Sequence, residues 1–301
     1  MQKVDLTSTS PLFYNPTGLK RTYGVIFDLA NGEKKLHVHF EVVIKYLGKL
    51  QDQYLLIEMD KKDVFINNQM PENTIDQFTA ACGAILYPLE VITSSHGEFL
   101  GINNKKAIRE RWEEKKPKLQ QYYKGEKAEE IFTYMDLALG SDHHLVNSVF
   151  EDQFVALYFS KAIAISHKIG LETFEISIPG LPYTRAVKYE IKQETDGSPT
   201  DNGTIQLSQK GHCTDERDQI DPGKGEVNLR YSLYRKDHTI NSITGSFDLF
   251  TKGTLRAIQV QVYHLREKDE AGTAALQDNK EEEEEEKKVE KKRRSFFSFL
   301  D

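Results

Sequence analysis

The sequence predicts an α+β protein in which curved antiparallel β-sheets, formed by the N- and C-terminal parts of the chain, pack around a central group of about three helices. Three observations lead to this class. Apolar residues alternate with period two over residues 21–102, recur at helical spacing over 104–170, and alternate again over 172–265. No strand–helix–strand unit repeats, so a parallel sheet is not expected.

The first β-rich part is clearest in KLHVHFEVVIKYL. Val38, Phe40, Val42, Ile44 and Tyr46 share one face, while His37, His39, Glu41 and Lys45 share the other, the signature of a half-buried strand. TYGVIFDLA precedes it through Asn31-Gly32, a tight-turn dipeptide, which predicts a hairpin. QYLLIEMD and VFIN continue the pattern. Pro71 suits a first helical position, and Ile75, Phe78 and Ala81 follow at helical spacing, predicting a short helix over 72–81. LYPLEVITSSHGEFLGI reads as a second hairpin turning at SSHGE.

In the helical part, Ile108, Trp112, Leu119 and Tyr122 or Tyr123 form one stripe, with Pro117 expected to kink or split that helix at Lys116 and Gly125 to end it. A second helix carries Ile131, Phe132, Met135 and Leu139 and stops at Gly140, after which Ser141 or Asp142 can cap a third. That third helix, with Leu145, Val149, Phe150, Phe154, Leu157 and Tyr158, is the most apolar stretch and is predicted to be the central buried one. TFEISI, RAVKYEIK, GTIQLS, EVNLRYSLY, NSITGSFDLF and RAIQVQVYH then read as an antiparallel meander with turn-rich connections.

The resulting organisation is a flexible segment at 1–20, a β-rich part followed by helices at 21–170, the meander at 171–266, and a charged tail at 267–301, disordered or partly helical, that ends in an aromatic motif. Whether the two β-rich parts share one sheet is left open by the pattern.

Composition narrows the function. The 301 residues, 38% of them apolar with 16 Phe and 14 Tyr, suffice for a core without staples. Forty basic against 47 acidic residues, a net charge of −7, argue against a nucleic-acid surface. Two cysteines, Cys82 and Cys213, make neither a disulfide framework nor a zinc cluster. MQKVDLTSTSPLFYNPTG contains no apolar secretory core, and no run of about eighteen apolar residues occurs, so the expectation is a soluble, cytoplasmic protein.

Few residues suggest chemistry. His37 and His39 are spaced to place two imidazoles on one metal, with His143 from the Asp142-His143-His144 run as a third ligand; a solvated strand face and a helix start compete with that reading. The aspartate motif that accompanies this tripeptide in DHH phosphoesterases is missing, which excludes that family. His212 and Cys213 are adjacent on a strand and point apart, and TDERDQIDPGKGE lacks the order of a calcium loop. Phosphate-cradle, dinucleotide and serine-elbow motifs do not occur, and no cofactor is expected. Trp112 is read as an anchor of its helix on the sheet, and SIPGLPY at 177–183 as a rigid turn or a recognition loop.

The tail is the least ordinary segment. Its charges cancel between Lys280 and Arg294, with Glu283–Lys287, Glu284–Lys288 and Glu290–Arg294 at the i, i+4 spacing that adds about 0.2–0.5 kcal/mol per pair in a helix. Arg293 and Arg294 then lead into Phe296, Phe297, Phe299 and Leu300. Docking onto a protein partner ranks first, folding back onto the body or a neighbouring subunit second, and membrane contact last, because six glutamates oppose anionic lipid. The favoured function is a non-catalytic cytoplasmic adaptor, scaffold or assembly component that docks through SFFSFL. A small-molecule or lipid binder with a cavity between curved sheet and helices is second, and a metal-dependent enzyme third.

Overall fold

The computed structural model describes residues 14–51, 53–161, 170–180, 185–196, 200, 203–217, 220–221 and 223–266. The chain divides into two units, Met1–His264 and Leu265–Asp301. The architecture below is that of the first.

Eleven strands form one antiparallel sheet: β1 (Lys20–Asn31), β2 (Lys34–Leu50), β3 (Tyr54–Ile66), β4 (Leu89–Ser94), β5 (Phe99–Ile102), β6 (Gly170–Pro179), β7 (Ala186–Asp196), β8 (Thr204–Cys213), β9 (Glu226–Tyr234), β10 (Ile240–Thr251) and β11 (Thr254–Leu265). Their order is β5-β4-β3-β2-β1-β11-β10-β9-β8-β7-β6. The two β-rich parts are therefore halves of a single sheet, joined where β1 meets β11. Each half is a meander of neighbouring strands, as alternating sequences with short turn-rich connections dictate. The first hairpin turns on Gly32 and Glu33, since Asn31 pairs with Lys34; Gly32 takes the positive φ of 59° that the first central position of such a turn demands. QYLLIEMD and VFIN belong to one strand, β3, with Asp63 at φ 51° between them.

Among the described residues five α-helices accompany the sheet: α1 (Thr74–Gly83), α2 (Lys105–Tyr122), α3 (Glu126–Leu139), α4 (Asp142–Phe150) and α5 (Gln153–Tyr158). The start of α1 is set by Asn73, whose side chain accepts from the Asp76 N–H at 2.8 Å, so the helix begins after the cap and not at Pro71. Pro117 does not split α2. It is exposed, so the carbonyl it leaves unbonded faces water. Gly125 lies beyond the end of α2 and caps α3, with φ 100°. Ser141 caps α4 as expected. The expected third helix is broken: the Asp152 carboxylate accepts from the N–H groups of Phe154 (2.9 Å) and Val155 (3.1 Å), ending α4 and starting α5.

Helices α2 to α5 connect β5 to β6, the two edges of the sheet, so this stretch passes from one edge to the other. Its last element, α5, is buried at every residue. The contacts identify the face it covers. Phe154 meets Phe40 edge-on at 6.4 Å, Tyr158 meets Tyr23 at 5.4 Å, and the Tyr231 hydroxyl donates to the Leu157 carbonyl at 3.3 Å. Lys61 completes the attachment, its ammonium 3.1 Å from Asp152 and 4.2 Å from the Phe40 ring centre. Burying Phe154, Leu157 and Tyr158 contributes about 1.5–3 kcal/mol each relative to exposure.

The β1–β11 junction carries a dense polar and aromatic cluster. The buried Tyr23 hydroxyl donates to the Ile240 carbonyl at 2.6 Å and accepts from Tyr158 at 3.3 Å. Beside it, Arg21 pairs with Asp237 at 2.9 Å, donates to the Thr239 hydroxyl, and lies 4.2 Å from the Tyr234 ring centre. Asn15 donates its N–H to the Asp237 carbonyl at 2.9 Å, tying the segment before β1 to the β9–β10 turn.

Close strand approach makes two glycines unequal. A Cβ at Gly211 would stand 2.0 Å from the Glu190 carbonyl oxygen, a backbone atom. At Gly24 it would meet the Tyr263 ring at 2.7 Å, and that ring is half-exposed and can swing aside. Urea denaturation is expected to show Gly211→Ala destabilised by about 1–3 kcal/mol and Gly24→Ala by a smaller amount. Equal losses would mean that the β7–β8 backbone spacing yields to the added methyl.

Candidate functional site

The residues singled out in the sequence disperse over the body. His37 and His39 lie on the face of β2 opposite α5, with rings 5.4 Å apart. Strand register sets His37 opposite Asp28, to whose carboxylate its Nδ1 is 2.7 Å distant, and His39 opposite Phe65, on which it stacks at 4.7 Å. His143 is on α4, with Nε2 3.0 Å from the Asn147 amide nitrogen. Asp142 pairs with Lys105 at 2.8 Å and Arg109 at 2.7 Å. Among the described residues, no three His, Cys, Asp or Glu side chains converge to hold a metal ion.

The remaining chemical groups have structural partners. Cys213 is buried and His212 points to the opposite, exposed face, so they form no nucleophile pair. Both cysteines are free, and burial pushes the Cys82 thiol up to about 12 and raises Cys213. In the acidic stretch, Asp215 accepts two bonds from the Arg217 guanidinium at 2.7 Å. Trp112 is buried and its indole N–H donates to Asp136 at 2.8 Å, with Lys116 on the same carboxylate at 2.7 Å; it ties α2 to α3. Residues 181–183 of the SIPGLPY turn lie outside the described residues, as do Arg293, Arg294, Phe296, Phe297, Phe299 and Leu300.

A different group, absent from the sequence reading, is brought together by register. Antiparallel partners share a face, and one transverse row runs Glu172 (β6), Gln193 (β7), Gln209 (β8), Leu229 (β9). This row lies on the covered face, between Gly170–Thr195–Leu207–Tyr231 on one side and Phe174–Ile191–Gly211–Val227 on the other. Gln193 and Gln209 are 1% and 0% exposed, whereas Glu172 is half-buried. The Gln209 amide nitrogen donates to the Gln193 carbonyl oxygen at 2.7 Å.

That single bond leaves three buried polar atoms without a hydrogen-bond partner: Gln193 Nε2, Gln209 Oε1 and Glu172 Oε2. An unpaired buried group costs about 1–3 kcal/mol, so an interior needed only for packing would favour apolar residues here. Beside Glu172, Gly170 is exposed, and a Cβ there would meet nothing within 4 Å. The row therefore runs from a sealed end at Gln209 to an open approach at the β6 edge.

All three residues fall just outside the apolar alternation. TFEISI begins after Glu172, RAVKYEIK ends before Gln193, and GTIQLS ends before Gln209. Extending each strand by period two, polarity ignored, would have placed them on the inner face.

No protein-family model matches the chain, and no curated protein matches it. Among solved structures it is similar to one described as lipid-protein interactions in lipovitellin, with a TM-score of 0.43 and 9% identity over 82% of this chain and 25% of that one. The chain thus spans a quarter of that chain's length, and a likeness of this degree implies nothing about what this chain binds. No described helix is long and apolar enough to cross a membrane.

Three carboxylates link the body's stability to pH. Hydrogen bonds from Arg217 hold Asp215 below the usual carboxylate range, more than offsetting its desolvation. For Asp136 and Asp237 burial is the largest influence and acts upward. It is outweighed at Asp136 by hydrogen bonds from Lys116 and Trp112 and the Lys116 charge, and at Asp237 by bonds from Thr239 and the Arg21 charge. A depressed folded-state pKa gives stability that is complete above the unfolded value, about 4, and lost as pH falls through the folded one. Melting temperature is expected to hold down to about pH 5 and decline below about pH 4. Asp237→Asn should lower the neutral-pH melting temperature and flatten the acid limb; an unchanged acid limb would remove this carboxylate from the linkage.

Proposed function

We propose that the chain is a non-catalytic adaptor or scaffold component of a larger assembly, attached through its C-terminal Phe296, Phe297, Phe299 and Leu300 with Arg293 and Arg294 beside them. The observation that carries this reading is the position of β11: both its sides are taken, by β1 and β10, so no place beside the last strand is left for the segment that follows it. A net-neutral stretch ending in four apolar side chains is then best used outside the body, on a protein surface and not on nucleic acid or membrane. Two free, protonated thiols accord with a reducing cytoplasm. Full-length protein carrying Phe296→Ser, Phe297→Ser and Phe299→Ser should lose a partner that the wild type recovers reproducibly, with an unchanged melting temperature. Recovery of the same partner by the triple variant would refute the reading.

A second reading, a small-molecule binder whose sheet curves over the helices and leaves room between them, is favoured by the unpaired row Glu172–Gln193–Gln209. Saturable uptake of an amphiphile by the purified full-length chain, followed by native mass spectrometry, is its expected result; a chain that takes up none of the probes offered counts against it.

A further inference from the structure

We infer that the Glu172–Gln193–Gln209 row is the polar end of a binding site for a neutral apolar molecule ending in a hydroxyl or a primary carboxamide. The inference rests on the small-molecule reading and assigns its ligand class. Gln193 Nε2 offers hydrogens, while Gln209 Oε1 and Glu172 Oε2 offer lone pairs. Rotating both amides together exchanges their roles and still leaves one free NH2 and one free carbonyl oxygen. A group that completes the row must accept from one glutamine and donate to the other.

This requirement selects among ligand ends. A hydroxyl or carboxamide both accepts and donates. A carboxylate only accepts, so it would leave Gln209 Oε1 unpaired and would lie beside the Glu172 carboxyl group. An ammonium only donates and would set its hydrogens against those of Gln193 Nε2. An ether accepts and leaves both oxygen acceptors unpaired, and a hydrocarbon leaves all three atoms unpaired. The stem of the ligand is apolar because most side chains around the row on this face, Ile191, Leu207 and Tyr231 beside it and Leu229 at its end, are buried and hydrophobic, with Thr195 the one buried polar neighbour. Entry is from the β6 edge, past Gly170 and Glu172, the exposed and half-buried members of the two rows.

The test is isothermal titration of the full-length protein with 1-octanol, octanamide, methyl heptyl ether and octanoate. The alcohol and the amide are expected to bind about tenfold or more tighter than the ether and octanoate, the difference a buried donor–acceptor pair supplies. In a Gln193→Leu, Gln209→Leu variant that preference should fall below about twofold while the melting temperature holds or rises, because two apolar side chains replace an incompletely bonded pair. Should the double variant not fold, Gln193→Met alone carries the same comparison. Equal binding of ether and alcohol by the wild type overturns the ligand class and leaves the small-molecule reading standing. Absence of binding by all four probes overturns both, and the row is then a polar element of the core alone.

Discussion

The body depends on one junction, where the first strand pairs with the last. Every other strand neighbour is also a chain neighbour, even where α1 lies between β3 and β4, and only β1–β11 unites segments from opposite ends of the sequence. Arg21 and Asp237, 216 residues apart, mark its cost in chain entropy. The groups gathered there suit that role: a charged pair partly shielded from water, a guanidinium against an aromatic ring, and a buried phenol whose hydroxyl is fully engaged. Burial pushes Tyr23 up to about 12, so it keeps its hydrogen-bonding proton across the physiological range. Because its contacts are the least local in the sheet, this junction is also where folding is slowest to be rewarded.

From that junction the covered face follows. Once the two meanders are halves of one sheet, the helical stretch must travel from edge strand to edge strand, and it does so with α5 against the inner side chains. Asp152 fixes α5 within that passage, capping the helix and pairing with Lys61 of β3. The inner face is apolar over most of its extent. The polar row interrupts it toward the β6 edge, where Gly170 is exposed and Glu172 half-buried.

The strands were legible because period-two alternation is unambiguous wherever one face is buried, as at Phe40, Val42 and Ile44. Joining the halves was not legible: pairing of β1 with β11 is a non-local choice that leaves no local pattern. Helix limits failed where a side-chain cap decided the matter. Asn73 and Asp152 are ordinary polar residues in sequence, and their effect comes from geometry, a carbonyl oxygen meeting one backbone N–H and a carboxylate oxygen meeting two. The polar row was missed for a related reason. Hydrophobic alternation ends a strand at its first polar inner residue, so Glu172, Gln193 and Gln209 were read as boundaries when they are interior positions. The histidines show how little spacing alone decides: two rings lie near each other along one strand, and among the described residues no third ligand joins them.

The meeting of β1 and β11 also gives the body a circular connectivity. Tyr23 and His264, near the beginning of one strand and the end of the other, have rings 5.8 Å apart. Walking from strand to strand by chain order, through the helical bridge and back across the junction, returns to the starting point without skipping a neighbour. The strand that comes first is therefore an accident of where the polypeptide is opened, and a permuted chain that joins β11 to β1 and opens at any other hairpin would retain every pairing in the sheet.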